Sequence, residues 1–126
     1  MALLGATEAA LGVVEGLQEG EKGGEVVKVG IPFQVRWRDR MLSGWKTCTS
    51  RTRKYGAPGD TFDAFGVTFE IIDVEQAELI YVAVGLHKKE GCSTPWEFKE
   101  VWKELHPRKG WDDSQKVWVH LFRRVQ

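Results

Sequence analysis

The sequence predicts an α+β domain, in which two or three helices flank a small, mostly antiparallel β-barrel. Short runs of β-forming residues, separated by turns rich in glycine and proline, recur from residue 26 onward and suggest about five or six strands. One stretch in the second half carries a clear helix-start signal. The 126 residues are enough for one core but too few for two. A barrel would hide the strand edges of so small a domain best.

The first 24 residues differ in character from the rest. Between residues 2 and 18, apolar side chains recur at spacings near three and four, as in an amphipathic helix, although three glycines weaken the pattern. We therefore predict an N-terminal helix or flexible extension at residues 1–24 and the barrel domain at residues 25–126. Two interpretations stay open for the extension. It is either a disordered tail or a helix that packs on the domain or on a second copy, which would make a homodimer.

The first half of the domain contains three predicted elements. Residues 26–35 are β-formers interrupted by a glycine and a proline, and they predict a first strand. Residues 37–42 predict a short helical turn that ends at Gly44, because glycine readily adopts the left-handed conformation of a helix end. Residues 61–74 predict one or two strands bent at Gly66.

The second half of the domain contains the clearest helix and the last strand. Residues 79–84 are apolar enough for a strand or for the start of a buried helix, and periodicity does not decide between them. Thr94 is a good N-cap, Pro95 fits the first turn, and Glu97 is placed to complete a capping box, so a helix begins here. Residues 116–125 are apolar on both faces, which is typical of a central strand.

The charge of the chain is balanced overall but unevenly distributed. The formal net charge is zero, so the total does not indicate a polyanionic partner. Residues 36–54 nevertheless hold seven basic residues against one acid, Asp39. A local cluster of this kind can bind a phosphate or steer an anionic ligand. The alternative is an ordinary solvated surface.

Several classes of protein are disfavoured by composition. Cys48 and Cys92 form neither a disulfide framework nor a CxxC pair, and three histidines without ligand spacing do not suggest a zinc site. We predict no metal and no cofactor. No apolar run approaches the roughly 20 residues of a membrane span, and the N-terminus lacks the basic region of a signal peptide. The expected location is therefore the cytoplasm, without a membrane partner.

One segment concentrates the chemistry of the chain. Residues 44–51 read GWKTCTSR and place an amine, hydroxyls, a thiol and a guanidinium within a few positions. Trp45 lies inside this segment and is a candidate to stack on a base. Side chains alternate along a strand, so Lys46 and Thr49 would point to opposite faces of a regular one. They meet only if Lys46 lies in a turn before the strand, which Gly44 permits.

Four short motifs in order carry a resemblance to a known family. They are G-x-K-x-x-T-x-R at 44–51, G-D at 59–60 before a strand, E-G at 90–91 before a helix with aromatic residues, and Phe122 in the last strand. Over about residues 30–124 the chain resembles the ASCH domain, a small β-barrel related to the PUA RNA-binding fold. The position after E-G departs from the family pattern, because it is a cysteine here instead of an aromatic or large apolar residue.

The resemblance implies a cleft beside residues 44–51 and a role with RNA or modified nucleosides as partners. In that interpretation Arg36, Lys46, Arg51 and Arg53 contact phosphates, and Trp45 stacks on a base. Without the resemblance, the charged side chains would be interpreted as surface charges on an edge strand.

Two other functions stay open from the sequence. Some small ASCH proteins are amidohydrolases that deacetylate N4-acetylcytidine with a lysine, a threonine and a glutamate, and these correspond here to Lys46, Thr49 and Glu90. Glu90 also has a purely structural explanation, because the positive end of the dipole of the helix that follows favours a carboxylate near its N-terminus. The third hypothesis is a non-catalytic interaction protein that dimerises through its N-terminal helix.

Overall fold

The computed structural model describes residues 26–125 of the protein. The predicted N-terminal helix at residues 1–24, and the homodimer that it would form, lie outside the described residues. Within these residues, three α-helices, Arg38–Leu42 (α1), Leu79–Gly85 (α2) and Pro95–Leu105 (α3), and four strands, Cys48–Arg51 (β1), Thr61–Ala64 (β2), Val67–Glu78 (β3) and Lys116–Arg124 (β4), follow in the order α1, β1, β2, β3, α2, α3, β4. The predicted α+β class is confirmed, and the strands form a curved antiparallel half-barrel.

The sheet runs in the order β1-β4-β3-β2, with every neighbouring pair antiparallel. Its strands are Cys48–Arg51 (β1), Thr61–Ala64 (β2), Val67–Glu78 (β3) and Lys116–Arg124 (β4). The last strand of the chain therefore lies between β1 and β3, as its two apolar faces predicted. β1 is an edge strand, and this position creates the site described below.

The predicted first strand at residues 26–35 is wrong. This segment contributes one isolated parallel bridge, between Lys28 and Thr61, and it then enters a 3-10 turn at Val35–Trp37. Gly30 and Pro32 explain the difference, because glycine weakens a strand and proline removes a donor from the ladder. The described residues accordingly hold four named strands instead of five or six.

The predicted strands at residues 61–74 are confirmed, and they form a hairpin. Phe65 and Gly66 make the turn with positive φ angles of 56° and 82°, which bends the chain at the predicted glycine. β3 is longer than expected because its outer half pairs with β4 up to the partners Glu78 and Lys116.

The helices follow their sequence signals. α1 spans Arg38–Leu42, as predicted. The apolar segment that was open between strand and helix is α2, Leu79–Gly85, and its first N–H groups donate to carbonyls of the loop before β4. α3 spans Pro95–Leu105, and the Thr94 hydroxyl accepts from the Glu97 N–H at 3.0 Å as an N-cap. No helix in residues 26–125 is long and apolar enough to cross a membrane.

Three phenylalanines form the centre of the half-barrel. Phe62, Phe69 and Phe122 are buried, and their ring centroids lie 5.3–5.4 Å apart in stacked and edge-on arrangements. Pairs of this kind contribute about 0.5–1.5 kcal/mol each beyond the area that they bury. Phe33 extends this cluster toward the edge of the sheet, with its ring 5.6 Å from that of Phe62. The aromatic core therefore reaches the edge occupied by β1.

Candidate functional site

A cavity of about 320 Å³ runs along the free edge of β1. The strand forms one side, residues 32–37 form a second, and the inner face of α3 forms a third. We call this cavity the edge cleft. Both Thr49 and Ser50 line it, although they are consecutive residues of a strand, because the cleft opens along the edge of β1 and not over one face. Its aromatic lining comes from Phe33, Trp37, Tyr55, Phe98, Trp102 and His106.

Lys46 reaches this cleft because the chain turns before β1 begins. Gly44 has a φ of +87°, a conformation that favours glycine. The Lys46 N–H then donates to the Arg40 carbonyl at 2.8 Å, which ties the segment to α1. β1 starts two residues later, at Cys48. Lys46 thus precedes the strand, so the alternation of side chains along β1 does not force Lys46 and Thr49 onto opposite faces.

The Lys46 ammonium is buried and held by three acceptors. Its side chain is 3% exposed. Nζ donates to the Glu90 carbonyl at 2.7 Å, to the Cys48 carbonyl at 2.9 Å and to Glu90 Oε1 at 3.4 Å. It also lies 4.6 Å from the ring centroid of Trp37. An ammonium has three N–H donors, so these contacts use its hydrogen-bonding capacity fully.

Glu90 forms the centre of the same buried cluster. Its Oε2 accepts from the Ser50 hydroxyl at 2.6 Å and from the Cys48 thiol at 3.5 Å. We call Lys46, Cys48, Ser50 and Glu90 the buried cluster. Burial, together with the nearby Glu90 carboxylate, raises the pKa of the Cys48 thiol well above its ordinary value. That thiol is therefore protonated and unreactive at neutral pH.

A glycine next to Glu90 makes this packing possible. Gly91 has a φ of +91°. A Cβ at this position would lie 3.1 Å from Lys46 Cβ and 3.2 Å from a ring carbon of Trp37. The E-G motif noted in the sequence therefore has a reason here, because a side chain at residue 91 would be strained at this φ and would crowd Lys46 and Trp37.

The outer end of the cleft is formed by Thr49 and Arg51. Arg51 Nε donates to Thr49 Oγ1 at 2.9 Å, and Nη2 donates to the Pro32 carbonyl at 2.7 Å. The guanidinium lies 4.9 Å from the Phe33 ring centroid and 5.6 Å from that of Tyr55. Burial lowers the pKa of Arg51 from its ordinary value, but an arginine remains charged at neutral pH. The guanidinium is thus fixed in place.

Behind Thr49, His120 of β4 is fully buried and neutral. The Tyr55 N–H donates to His120 Nε2 at 3.0 Å, so Nδ1 carries the proton and donates to the Thr49 carbonyl at 3.3 Å. Burial is the main cause that lowers the pKa of His120 to about 4. Sequence reasoning assigned no role to this histidine, because its strand partner Thr49 is 71 residues away and only the sheet register brings them together.

The structure brings four of the predicted site residues into one cleft and leaves three outside it. Lys46, Thr49, Glu90 and Arg51 all line the edge cleft, whereas the other three do not. Arg36 forms an exposed ion pair with Glu104 at 3.1 Å, Trp45 is 41% exposed with Arg40 over its ring, and Arg53 lies over the Tyr55 ring at 4.5 Å.

Ser50 is the cleft residue that sequence reasoning missed. The hydroxyl in hydrogen-bond contact with Glu90 belongs to Ser50, whereas Thr49 is paired with Arg51. Strand alternation places Cys48 and Ser50 on the same face of β1. The sequence does not show that Glu90 lies on that face, so alternation alone could not identify Ser50 as its partner.

The described residues offer no metal site. Among residues 26–125, no group of three or more His, Cys, Asp or Glu side chains is placed to hold a metal ion.

A second, smaller cavity of about 130 Å³ lies between α1 and the ends of β3 and β4 and shares Lys46 with the edge cleft.

Comparison with known proteins identifies the fold. No protein-family model and no curated protein matches the chain. An ASCH domain from Lactobacillus crispatus matches with a TM-score of 0.64 and 12% identity, over 82% of each chain. The hypothetical protein PH0355 matches with a TM-score of 0.58 and 11% identity, over 79% of this chain and 97% of that one.

A third structure, protein EF3133 from Enterococcus faecalis, matches with a TM-score of 0.53 and 20% identity, over 71% of this chain and 70% of that one. The TM-scores of the three matches, all above 0.5, show a shared fold despite the low identities. The resemblance predicted from the four sequence motifs is therefore confirmed at the level of the fold.

Proposed function

We propose that this domain, which has the ASCH fold, binds a ribonucleoside, free or as part of single-stranded RNA, in the edge cleft. The observation that carries the proposal is the pairing of an aromatic wall with a fixed guanidinium, Arg51, in one cavity. Aromatic rings bind the faces of bases, and arginine binds phosphate or carbonyl oxygens.

The size of the cleft suits one nucleoside. At about 320 Å³ it is near the lower end of the range for ligand pockets, roughly 300–1,000 Å³. One base with its sugar fills such a space, so the remaining nucleotides of an RNA strand would lie outside it. Stacking on an aromatic side chain contributes about 1–3 kcal/mol per base.

Arg51 has donors to spare for such a ligand. A guanidinium carries five N–H groups, and its hydrogen bonds with Thr49, Pro32 and Tyr55 use three of them. Since those contacts hold the planar group in place before binding, a ligand loses little of the arginine's side-chain entropy on contact. The Thr49 hydroxyl accepts from Arg51 and keeps its own O–H for donation.

The basic residues outside the cleft fit the backbone of a longer strand. Arg36, Arg53 and Lys54 belong to the basic segment at residues 36–54. The Arg36–Glu104 pair is exposed, with side chains 38% and 63% accessible, and such pairs contribute little to stability. A phosphate can therefore replace Glu104 at small cost.

Titrations with uridine, cytidine and a short single-stranded RNA at several salt concentrations test the proposal. Nucleoside affinity should depend little on salt, whereas RNA affinity should fall with a log–log slope of about 0.7 per neutralised phosphate. Arg51→Lys should weaken both, because a lysine does not reproduce the planar fork. Arg123→Lys, remote from the cleft and paired with Glu70, is the matched control. Absence of binding to all three ligands would refute the proposal.

A second candidate function is amide hydrolysis at an N4-acylated cytidine. It is favoured by one observation, namely that Lys46, Thr49 and Glu90 line the same cleft. For this reaction the Thr49 hydroxyl would attack the acyl carbon while a base takes its proton, and the C–N bond would break as the 4-amino group of cytidine leaves with that proton. Water would then hydrolyse the Thr49 ester, which releases the acid and restores the hydroxyl. The hydrogen bonds weigh against it, because Lys46 is fully engaged as an ammonium and Glu90 contacts Ser50 instead of Thr49. We therefore place binding first.

Incubation with N4-acetylcytidine, followed by mass detection of cytidine and acetate, tests hydrolysis directly. If Thr49 is the nucleophile, Thr49→Ala abolishes turnover and Thr49→Ser retains part of it. Equal turnover by the wild type and Thr49→Ala would exclude this role for Thr49. No turnover with intact nucleoside binding would leave the binding function alone.

A further inference from the structure

The main chain of β1 faces the edge cleft at one residue. Among residues 26–125, β1 pairs with a strand on one side only, namely β4. In an antiparallel pair, the N–H and C=O groups of successive residues alternate between the partner strand and the opposite side. The Phe122 N–H donates to the Thr47 carbonyl at 2.9 Å, so residues 47, 49 and 51 turn toward β4. Residues 48 and 50 turn away from it.

The outward groups of Cys48 are satisfied within the protein. Its N–H donates to the Lys89 carbonyl at 3.0 Å, and its carbonyl accepts from Lys46 Nζ at 2.9 Å. The next outward position is Ser50. Ser50 lines the edge cleft and is 8% exposed, and no other residue within 26–125 forms a hydrogen bond with its N–H or C=O. Buried main-chain groups without partners are rare in folded proteins.

We infer that the Ser50 N–H and C=O bind the Watson–Crick edge of a pyrimidine base in the edge cleft. This inference rests on the proposed function and adds the class of base and the groups that recognise it. One extended residue presents a donor and an acceptor side by side, as it would to a neighbouring strand. Cytosine offers the complement in its N3 acceptor and 4-amino donor, and uracil offers it in its N3–H donor and O4 acceptor.

The surroundings of Ser50 support a base and not a peptide strand. A single outward residue, between Cys48, which is satisfied, and the end of β1 at Arg51, is too short a ladder for strand addition. The same cavity supplies aromatic side chains for the faces of a ring and the Arg51 guanidinium beside it. Its volume of about 320 Å³ favours a one-ring base with its sugar.

Paired nucleosides that differ at this edge test the inference by calorimetric titration. The first pair is uridine and 3-methyluridine, which lacks the N3 donor. The second is cytidine and its analogue without the 4-amino group. All four are uncharged at neutral pH. For each parent that binds, we expect its analogue to bind at least about tenfold more weakly, because a buried group of Ser50 would lose its partner.

A pair of protein variants tests the same contact from the other side. Ser50→Ala removes the hydroxyl and its bond to Glu90, and it sets the reference. Ser50→Pro also removes the N–H, and no sheet hydrogen bond is lost because that N–H points away from β4. Ser50→Pro should bind the parent nucleoside about tenfold more weakly than Ser50→Ala does. Circular dichroism checks that both variants fold, and if Ser50→Pro does not, the nucleoside pairs decide alone.

The outcomes separate this inference from the proposed function. Parent and analogue binding with equal affinity would overturn recognition by Ser50 and leave nucleoside binding in place. Failure of every nucleoside and of single-stranded RNA to bind would overturn the proposed function and the inference with it. A loss confined to the edge-modified analogues supports both.

Discussion

The two ends of the edge cleft use charge in different ways. At the buried cluster, Lys46 and Glu90 have side chains only 3% and 6% exposed, and their polar atoms are engaged by each other, by Ser50 and by carbonyls. At the outer end, Arg51 is also held by internal partners, but its hydrogen bonds with Thr49, Pro32 and Tyr55 use only three of its five N–H donors within residues 26–125.

The difference separates a structural role from a binding role. A buried ion pair with all its hydrogen bonds made has no capacity left for a ligand, and removing one partner leaves an uncompensated charge. A half-buried arginine with spare donors costs less to maintain and can bind an anion or a carbonyl. The buried cluster therefore positions the cleft, and under the proposed function the outer end contacts the ligand.

The largest effect is expected from breaking the buried pair. Lys46→Met leaves the Glu90 carboxylate buried beside Ser50 without its cation, which should lower the free energy of unfolding by about 3–5 kcal/mol. Chemical denaturation measures the change, and the double variant Lys46→Met/Glu90→Gln should recover part of it. The exposed Lys103–Glu100 pair, at 3.0 Å, is the control, and Lys103→Met should cost at most about 1 kcal/mol. Equal costs at both pairs would contradict the structural role.

The next effect is a pH dependence from His120, which lies behind Thr49. Its pKa is about 4 in the folded protein and about 6.5 in an unfolded chain. Between these values the unfolded chain binds more protons, so stability falls as the pH drops from 6.5 to 4, by about 3 kcal/mol in total. His120→Gln should remove this part of the pH dependence. Parallel stability curves for the two proteins would show that His120 is not the cause.

A smaller effect is expected from a substitution at the outer end of the edge cleft, and it should reduce ligand binding more than stability. Arg51→Lys should weaken nucleoside binding about tenfold, or about 1.4 kcal/mol, because one ammonium does not replace both the Thr49 and Pro32 contacts and still reach a ligand. The unfolding free energy should change less than for Lys46→Met. Isothermal titration and denaturation of the same samples separate the two quantities. A larger loss of stability than of binding would reverse the assignment of the two ends.

The smallest effect should come from the cap of α3, the helix that forms one wall of the cleft. Thr94→Ala removes the bond from the Glu97 N–H and should cost about 1 kcal/mol of stability. Since Thr94 does not line the cleft, nucleoside affinity should stay within about twofold of that of the wild type. A parallel loss of affinity would indicate that binding follows global stability instead of local contacts.

Much of the fold was accessible from local sequence signals. The capped start of α3 at Thr94, the bend at Gly66 and the apolar faces of the last strand each depend on neighbours within a few residues. The strand predicted at residues 26–35 is absent from the structure, which shows where local sequence signals are insufficient. β-forming side chains were present, but whether they join a ladder depends on a partner strand elsewhere in the chain.

The candidate site likewise has features that the sequence predicted and features that depend on the tertiary structure. Residue types and spacing were sufficient to single out Lys46, Thr49, Arg51 and Glu90, because the motif spacing that resembles ASCH domains can be read from sequence. They did not show that Trp45 points away from the cleft or that Ser50, and not Thr49, contacts Glu90. Those facts depend on which face each side chain takes and on the position of the loop that carries Glu90.

The sequence by itself determined the α+β class, the capped helix and the residues in which the polar chemistry is concentrated, since propensity, capping and turn formation act over short distances. Only the tertiary structure decided that β1 is an edge strand. Its register with β4 spans some 70 residues of chain, as Thr49 and His120 show. That placement opens the cleft, buries Lys46 against Glu90 and leaves the Ser50 main chain facing the cleft, because long-range pairing determines which backbone groups a strand leaves free.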